Sequence, residues 1–393
     1  MSQRLLNRSP DLQRLQAEGF DLEIRGTYLL VKQVPYVTPT RAIAWGTLVC
    51  ALSINADATT KPATHVAFFI GEHPCHKDGT KIHTIEHQSQ QQNLGAGILV
   101  DHSFSTKPQE GYSDYFEKVT TYVAIISSPA EALDANVTAR TFPVLEAAAE
   151  DSVFCYLDTA STRAQIAAVS EKLMRGQVAI VGLGGTGAYV LDLVAKTPVR
   201  QIHLYDSDWF LQHNAFRSPG APALETLRGR PRKVDYFAHC YARMHRGVVP
   251  HQVDVNADNV AELQAMDFVF LCLDRGEAKA VIVAQLEAFA VPFVDVGMGV
   301  FLEEHSLSLG GQVRVTTSTV HQRAHVRTRV SFGEGDAGNE YRQNIQIADL
   351  NALNAALAVI KWKKLWGFYL DLEREHQSTY IVDGNSLLNE DHA

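Results

Sequence analysis

The sequence has no C-x-x-C pair: its five cysteines, Cys50, Cys75, Cys155, Cys240 and Cys272, are scattered over 393 residues. That spacing excludes a four-cysteine zinc site and offers no disulfide framework, so the thiols are expected to be reduced. No apolar run approaches the roughly 18 to 20 residues of a membrane span, and the opening "MSQRLLNRSPDLQRLQAEGF" is too polar for a secretory signal. The expectation is a cytoplasmic protein without a membrane partner. Basic charge is also short, with 35 Lys and Arg against 44 Asp and Glu for a formal charge of −9. This balance argues against nucleic acid as a partner and points to small ligands or other proteins. What the chain does have is 46% hydrophobic and 20% charged residues, a composition suited to one or more packed cores.

From Tyr28 to about Thr141 the runs "YLLVKQVPYV", "AWGTLVCALSI", "HVAFFIG" and "VTTYVAIIS" read as strands bounded by Pro, Gly, Asn and Asp. The expected fold class of this half is a smaller β-rich α+β domain. The alanine-rich stretch from Leu145 to Glu150 reads as a linker helix, and a boundary near residue 145 divides the chain into 1–145 and 146–393. Beyond it, "QVAIV", "RQIHLY", "VVPHQVDV", "DFVFLCL" and "VPFVDVG" are strand-length apolar runs separated by helical patterns, which predicts a doubly wound, mostly parallel α/β sheet. "SLSLGGQVRVTTST" reads as antiparallel around a Gly-Gly turn, and Asn344 to Leu372 as a long amphipathic helix.

The stretch "AIVGLGGTGAYVLDLVAK" places Gly182, Gly184, Gly185 and Gly187 between an apolar run and a helical pattern. Backbone N–H groups at such a helix N-terminus suit a phosphate. Asp206, nineteen residues past Gly187, also fits a nicotinamide dinucleotide, in which an acid binds ribose hydroxyls. An NAD(P)-dependent oxidoreductase and a non-catalytic nucleotide-binding scaffold are therefore rival readings. Downstream, "YDSDWFLQHNAFRSPG" adds Asp208, Asn214 and Arg217, "GRPRKVDYF" adds Lys233, and "DFVFLCLDRGEAK" adds Asp274 at a strand tip. Those residues offer ribose recognition, cations for a triphosphate and a carboxylate for Mg²⁺, and a hydride-transfer enzyme leaves them unused.

On those residues, segment 155–370 resembles the adenylyltransferase domain of the ThiF/HesA/MoeB family, the ubiquitin-activating-enzyme fold. The resemblance implies that Gly182, Gly184, Gly185, Gly187, Asp206, Asp208, Asn214, Arg217 and Lys233 bind ATP and that Asp274 holds Mg²⁺. It implies catalytic roles for Arg217, Lys233 and Asp274, with Arg163 reaching the phosphates of a neighbouring subunit in a homodimer. The implied reaction joins a carboxylate, ionised at pH 7 without a general base, to the α-phosphate of ATP with release of pyrophosphate. The implied acyl donor is the C-terminal glycine of a ubiquitin-like or sulfur-carrier protein, with a conjugating enzyme as a further partner.

Several positions depart from the family pattern. Zinc-binding C-x-x-C pairs are absent, no cysteine follows Cys272, Ser218 stands where a Gln is expected after Arg217, and Lys279 stands where an Arg is often found. Adenylation is thus better supported than thioester transfer, with Cys240, Cys50 and Cys75 left open as thiols. In the amino-terminal half, His73, Cys75, His76, His83 and His87 crowd into fifteen residues without a zinc spacing; loop histidines with ordinary hydrogen bonds are the expectation.

Overall fold

The structure, a computed structural model, describes residues 5–6, 8–147, 149, 152–164, 166–174, 176–274, 276–332 and 345–393. It contains two compact units, one of Met1–Leu145 with Asp158–Ala167 and one of Glu146–Leu157 with Ala168–Ala393.

In the first unit, six antiparallel strands pair in the order Asp21–Arg25, Tyr28–Val37, Ile43–Ala51, Val66–Ile70, His102–Ser105, Glu86–Gln88. Alternate residues Leu29, Val31, Leu48 and Cys50 face a core shared with Leu12 and Leu15 of the helix Pro10–Ala17 and with the helix Tyr115–Glu131. That second helix corrects the sequence reading, in which "VTTYVAIIS" is a strand. Its β-branched residues suit either state, but Tyr115, Val119, Tyr122, Val123 and Ile126 are buried at helical spacing, and the Asp114 carboxylate caps the first turn by accepting from the Glu117 N–H at 2.8 Å.

The second unit holds an eight-stranded sheet in the order Val248–His251, Gln201–Tyr205, Gln177–Val181, Phe268–Leu271, Phe293–Glu303, Ser308–Ser318, Gln377–Ile381, Ser386–Glu390. The first five strands are parallel and the last three pairings antiparallel. Successive residues of Gln177–Val181 face opposite cores. Val178 and Ile180 pack with Val190, Leu191 and Trp362, whereas Ala179 and Val181 pack with Ile282, Val283 and Leu286. Burial on both faces explains why this strand reads as a continuous apolar run.

Three local readings change. Leu145–Ala147 are not helical: Glu146 bridges to Tyr156, and the Arg246 guanidinium takes the Ala147, Ser152 and Phe154 carbonyls, so backbone polar groups are satisfied across the segment and not along a helix. Gly310 and Gly311 lie inside the strand Ser308–Ser318 and not in its turn; a Cβ on Gly311, at φ +148, would stand 2.2 Å from the Gly299 carbonyl of the paired strand. The long helix spans Ala348–Leu365 and is shorter than the expected Asn344–Leu372: Ile347 is extended at its N-cap and Trp366 ends it, and Asn344 itself lies outside the described residues.

Buried histidines make this fold acid-sensitive. His245 is wholly buried, donating from Nε2 to the Val199 carbonyl and accepting the Gly247 N–H at Nδ1, so no ring nitrogen is left for a second proton. Burial likewise holds His73, His102, His203, His245, His251 and His376 below the ordinary imidazole value. Below about pH 6.5 the unfolded chain takes up protons that the folded chain refuses, so this stability is complete above that pH and falls as pH drops towards the folded values. The melting temperature is expected to be lower at about pH 5.5 than at about pH 7.5; an equal or higher value at the acid end would contradict it.

Candidate active site

At the carboxyl ends of the parallel strands, where the strand order reverses between Gln177–Val181 and Phe268–Leu271, lies a cavity of about 640 Å³. Doubly wound sheets collect ligands at this point. Gly182, Gly184 and Gly185 line it. Gly182 adopts φ +91, and a Cβ there would stand 2.6 Å from the Cys272 carbonyl. Gly187 does not line the cavity. A Cβ on it would lie 1.9 Å from the Gly182 carbonyl, so its role is to let the helix Gly185–Val194 close on the loop.

Asp206 is buried, and its oxygens already accept from the Leu183 N–H at 2.7 Å, the Asp208 N–H at 2.9 Å and Lys233 Nζ at 3.3 Å. It pins the glycine loop to the neighbouring strand. Asp208, with a side chain 61% exposed, pairs with Lys233 at 2.7 Å and lines the cavity. Lys233 opens the helix Lys233–Tyr241, an end at which the helix dipole disfavours a cation, and the two carboxylates offset that cost.

Arg217 lines the cavity, and its Nε is buried with no hydrogen-bond partner among the described residues. A guanidinium N–H left in this condition costs free energy unless an anion completes it. His213 is held below the usual imidazole value by burial and then by the charges of Arg217 and Lys233. Asn214, predicted to touch nucleotide, is buried and turned inward, its Oδ1 accepting the Leu211 N–H at 2.8 Å and its carbonyl accepting the Arg217 N–H at 3.1 Å. It is not among the cavity-lining residues and shapes the turn that carries Arg217. Asp274 is exposed at the cavity wall, three residues past its strand.

Residues that sequence reasoning did not single out complete the walls. On the helix Ala348–Leu365, Asn351 accepts from Thr186 Oγ1 at 2.8 Å and donates to the Arg217 carbonyl at 3.4 Å. A Cβ on Gly185 would meet its Nδ2 at 2.0 Å. Asp254, Arg314 and Asn354 also line the cavity. The available signal was two asparagines one helical turn apart on a face otherwise apolar; buried amides at such positions need partners.

Residues 157–353, just over half of the chain, match the model of the ThiF family. This chain belongs to the ThiF family. Residues 10–159 match a second model, Domain of unknown function (DUF6791). Among solved structures the ThiF-family chain is similar to Escherichia coli MccB with ATP, at 14% identity over 57% of this chain and 66% of that chain with a TM-score of 0.42. It is also similar to E. coli MccB with AMPCPP and MccA (13%, 60% and 71%, TM-score 0.44) and to PaaA (17%, 57% and 75%, TM-score 0.42). The chain spans just under two thirds of the MccB chain with ATP. No curated protein sequence matches it.

Of the thiols left open by the sequence, Cys240 is half-buried. Cys50 and Cys75 are buried, and burial raises both. Cys272, read as a strand residue, lies one position beyond its strand at the cavity wall, where burial and then Asp295 push its thiol far up. Iodoacetamide at about pH 7.5 is expected to label the half-buried Cys155 and Cys240 faster than Cys50, Cys75 or Cys272, since only a thiolate reacts; equal labelling, read by peptide mass, would contradict it.

In the first unit, part of the histidine motif gathers on Glu86: His73 Nε2 lies 3.8 Å and His83 Nδ1 2.7 Å from its carboxylate, with the two rings 6.2 Å apart and His102 5.2 Å from His73. His87 bonds Ser103, and Cys75 donates to the His73 carbonyl. Among the described residues no three His, Cys, Asp or Glu side chains form a metal site, and no helix is long and apolar enough to cross a membrane. Arg163 ends the short helix Thr159–Arg163 of this unit and is not among the cavity-lining residues.

Proposed function

We propose that the protein adenylates the C-terminal glycine carboxylate of a ubiquitin-like or sulfur-carrier protein. The observation that carries this reading is Arg217, a cation whose buried Nε lacks a partner, set beside a glycine loop in a cavity also lined by Lys233 and Asp274. In the reaction a carboxylate oxygen forms a bond to the α-phosphorus, the bond from that phosphorus to the bridging oxygen breaks, and pyrophosphate leaves with the electron pair. No proton moves. Two anions must approach each other, so the barrier falls when fixed cations and N–H dipoles already face the developing charge. The glycine-loop N–H groups and Arg217 hold the triphosphate, Lys233 is kept in place by Asp206 and Asp208, and Asp208 takes the ribose.

Asp274, exposed at the wall, suits Mg²⁺, which binds through one or two carboxylates plus substrate phosphates. When bound, that ion would neutralise phosphate charge. Arg163 is proposed to serve the phosphates of a second subunit in a cytoplasmic homodimer. The amino-terminal domain, residues 1–145, is proposed to recognise the carrier or a conjugation partner, and residues 146–393 to form the adenylating domain.

The test is to mix the full chain, ATP and MgCl₂ with ubiquitin-like proteins ending in glycine, and to follow ATP–pyrophosphate exchange and the mass of the carrier. An AMP-sized mass gain on the carrier that is lost in Asp274→Ala is expected. Exchange with no carrier, or neither exchange nor a mass gain with any glycine-ended carrier, would overturn the reading.

A further inference from the structure

Of the four cations that line the cavity among the described residues, Arg217 and Lys233 belong to the glycine-loop side; Lys279 and Arg314 form a different group. They come from the helix Gly276–Ala288 and the strand Ser308–Ser318 and converge on Asp295 of the strand between them in the sheet order. Lys279 Nζ stands 2.7 Å from Asp295 Oδ1, and Arg314 Nη2 stands 2.8 Å from Asp295 Oδ2. Asp295 is 0% exposed. A wholly buried carboxylate is unfavourable unless paired; here it is paired twice, and the group of three keeps one net positive charge at the cavity wall.

That charge has a defined direction. Arg314 sits across from Gly297 in the strand register, and a Cβ on Gly297 would stand 2.6 Å from Arg314 Nη2, so the missing side chain lets the guanidinium lie flat over the backbone. Nη1 donates to Thr316 Oγ1. Among the described residues Asp295 and Thr316 are its acceptors, which leaves part of a five-donor fork for a ligand. Beside it, Asn354 donates to the Gly297 carbonyl at 3.0 Å, while its Oδ1 is buried with no partner among the described residues. A pinned guanidinium with spare N–H donors fits a planar pair of oxygens.

We propose that Arg314, locked in place by Asp295, receives the free carboxylate of the acyl substrate and holds it in the cavity for attack on the α-phosphorus. The inference rests on the adenylation reading above. Asp295 is the positioning residue, and Lys279 lies 2.7 Å from its second oxygen as a counter-charge without hydrogen-bond geometry.

The full chain is assayed by calorimetry with AMPCPP and by ATP–pyrophosphate exchange with two pools of synthetic pentapeptides ending in glycine, one with free carboxyl termini and one amidated. Wild-type protein is expected to exchange with the free-acid pool alone. Arg314→Ala is expected to raise the peptide KM by about 30-fold or more, as for loss of one partner of a close charge pair, with the AMPCPP Kd changed less than about twofold; Arg314→Lys restores part of the loss. Asp295→Asn is expected to raise KM likewise, and Arg314→Ala decides the matter where that variant fails to fold. An unchanged peptide KM, or AMPCPP weakened as much as peptide, overturns the inference and in the second case assigns Arg314 to the triphosphate. Wild-type protein that binds AMPCPP but exchanges neither with these pools nor with glycine-ended ubiquitin-like proteins counts against adenylation itself, and this inference falls with it; exchange with the proteins alone moves the same KM comparison to them.

Discussion

Arg217→Ala is expected to slow ATP–pyrophosphate exchange by about 10²- to 10³-fold, the range for removing one donor preset towards developing negative charge. The side chain lines the cavity and its Nε meets no acceptor among the described residues, so its loss removes no internal bond of the fold, and the melting temperature is expected to stay within a few degrees. Arg217→Lys should recover only part of the rate, because an ammonium replaces the charge and not the planar fork. Exchange at the wild-type rate in Arg217→Ala would place the phosphates elsewhere in the cavity.

The largest effect on stability is expected from Gly187→Ala. The added Cβ would stand 1.9 Å from the Gly182 carbonyl and 3.1 Å from Cys272 Cβ, and backbone cannot give way as a flexible side chain can. The helix Gly185–Val194 must then lift from the loop, at a cost of about 3 kcal/mol for overpacking against fixed atoms. For a unit of this size that corresponds to a fall of roughly 6–12 °C in melting temperature, with AMPCPP binding lost because the glycine-loop N–H groups no longer converge. Gly229→Ala, at a position where a Cβ meets nothing within 4 Å, is the control and should melt near wild type. A Gly187→Ala protein that melts and binds as wild type would show that the loop and helix are not in contact in solution.

The two predictions mark the difference between what was legible in the chain and what was not. The parallel strands were legible because burial on both faces leaves runs such as "QVAIV" apolar throughout, and Gly182 because a phosphate turn with positive φ admits almost nothing else. Arg217, Lys233 and Asp274 were legible as a spaced set. The helix Tyr115–Glu131 was not, since its β-branched stretch reads equally well as a strand until its neighbours bury one helical face.

The sequence by itself determined the doubly wound domain, the glycine loop and the family, because these depend on local periodicity and on residue types at short spacing. Only the tertiary structure decided that Asn214 shapes a turn, that Asp206 holds the loop and Lys233, and that Asp295 gathers Lys279 and Arg314. Those pairings join residues up to 27 positions apart, and no local pattern encodes which buried charge meets which partner: that choice is made when the strands and helices close and each desolvated group must find its counter-charge.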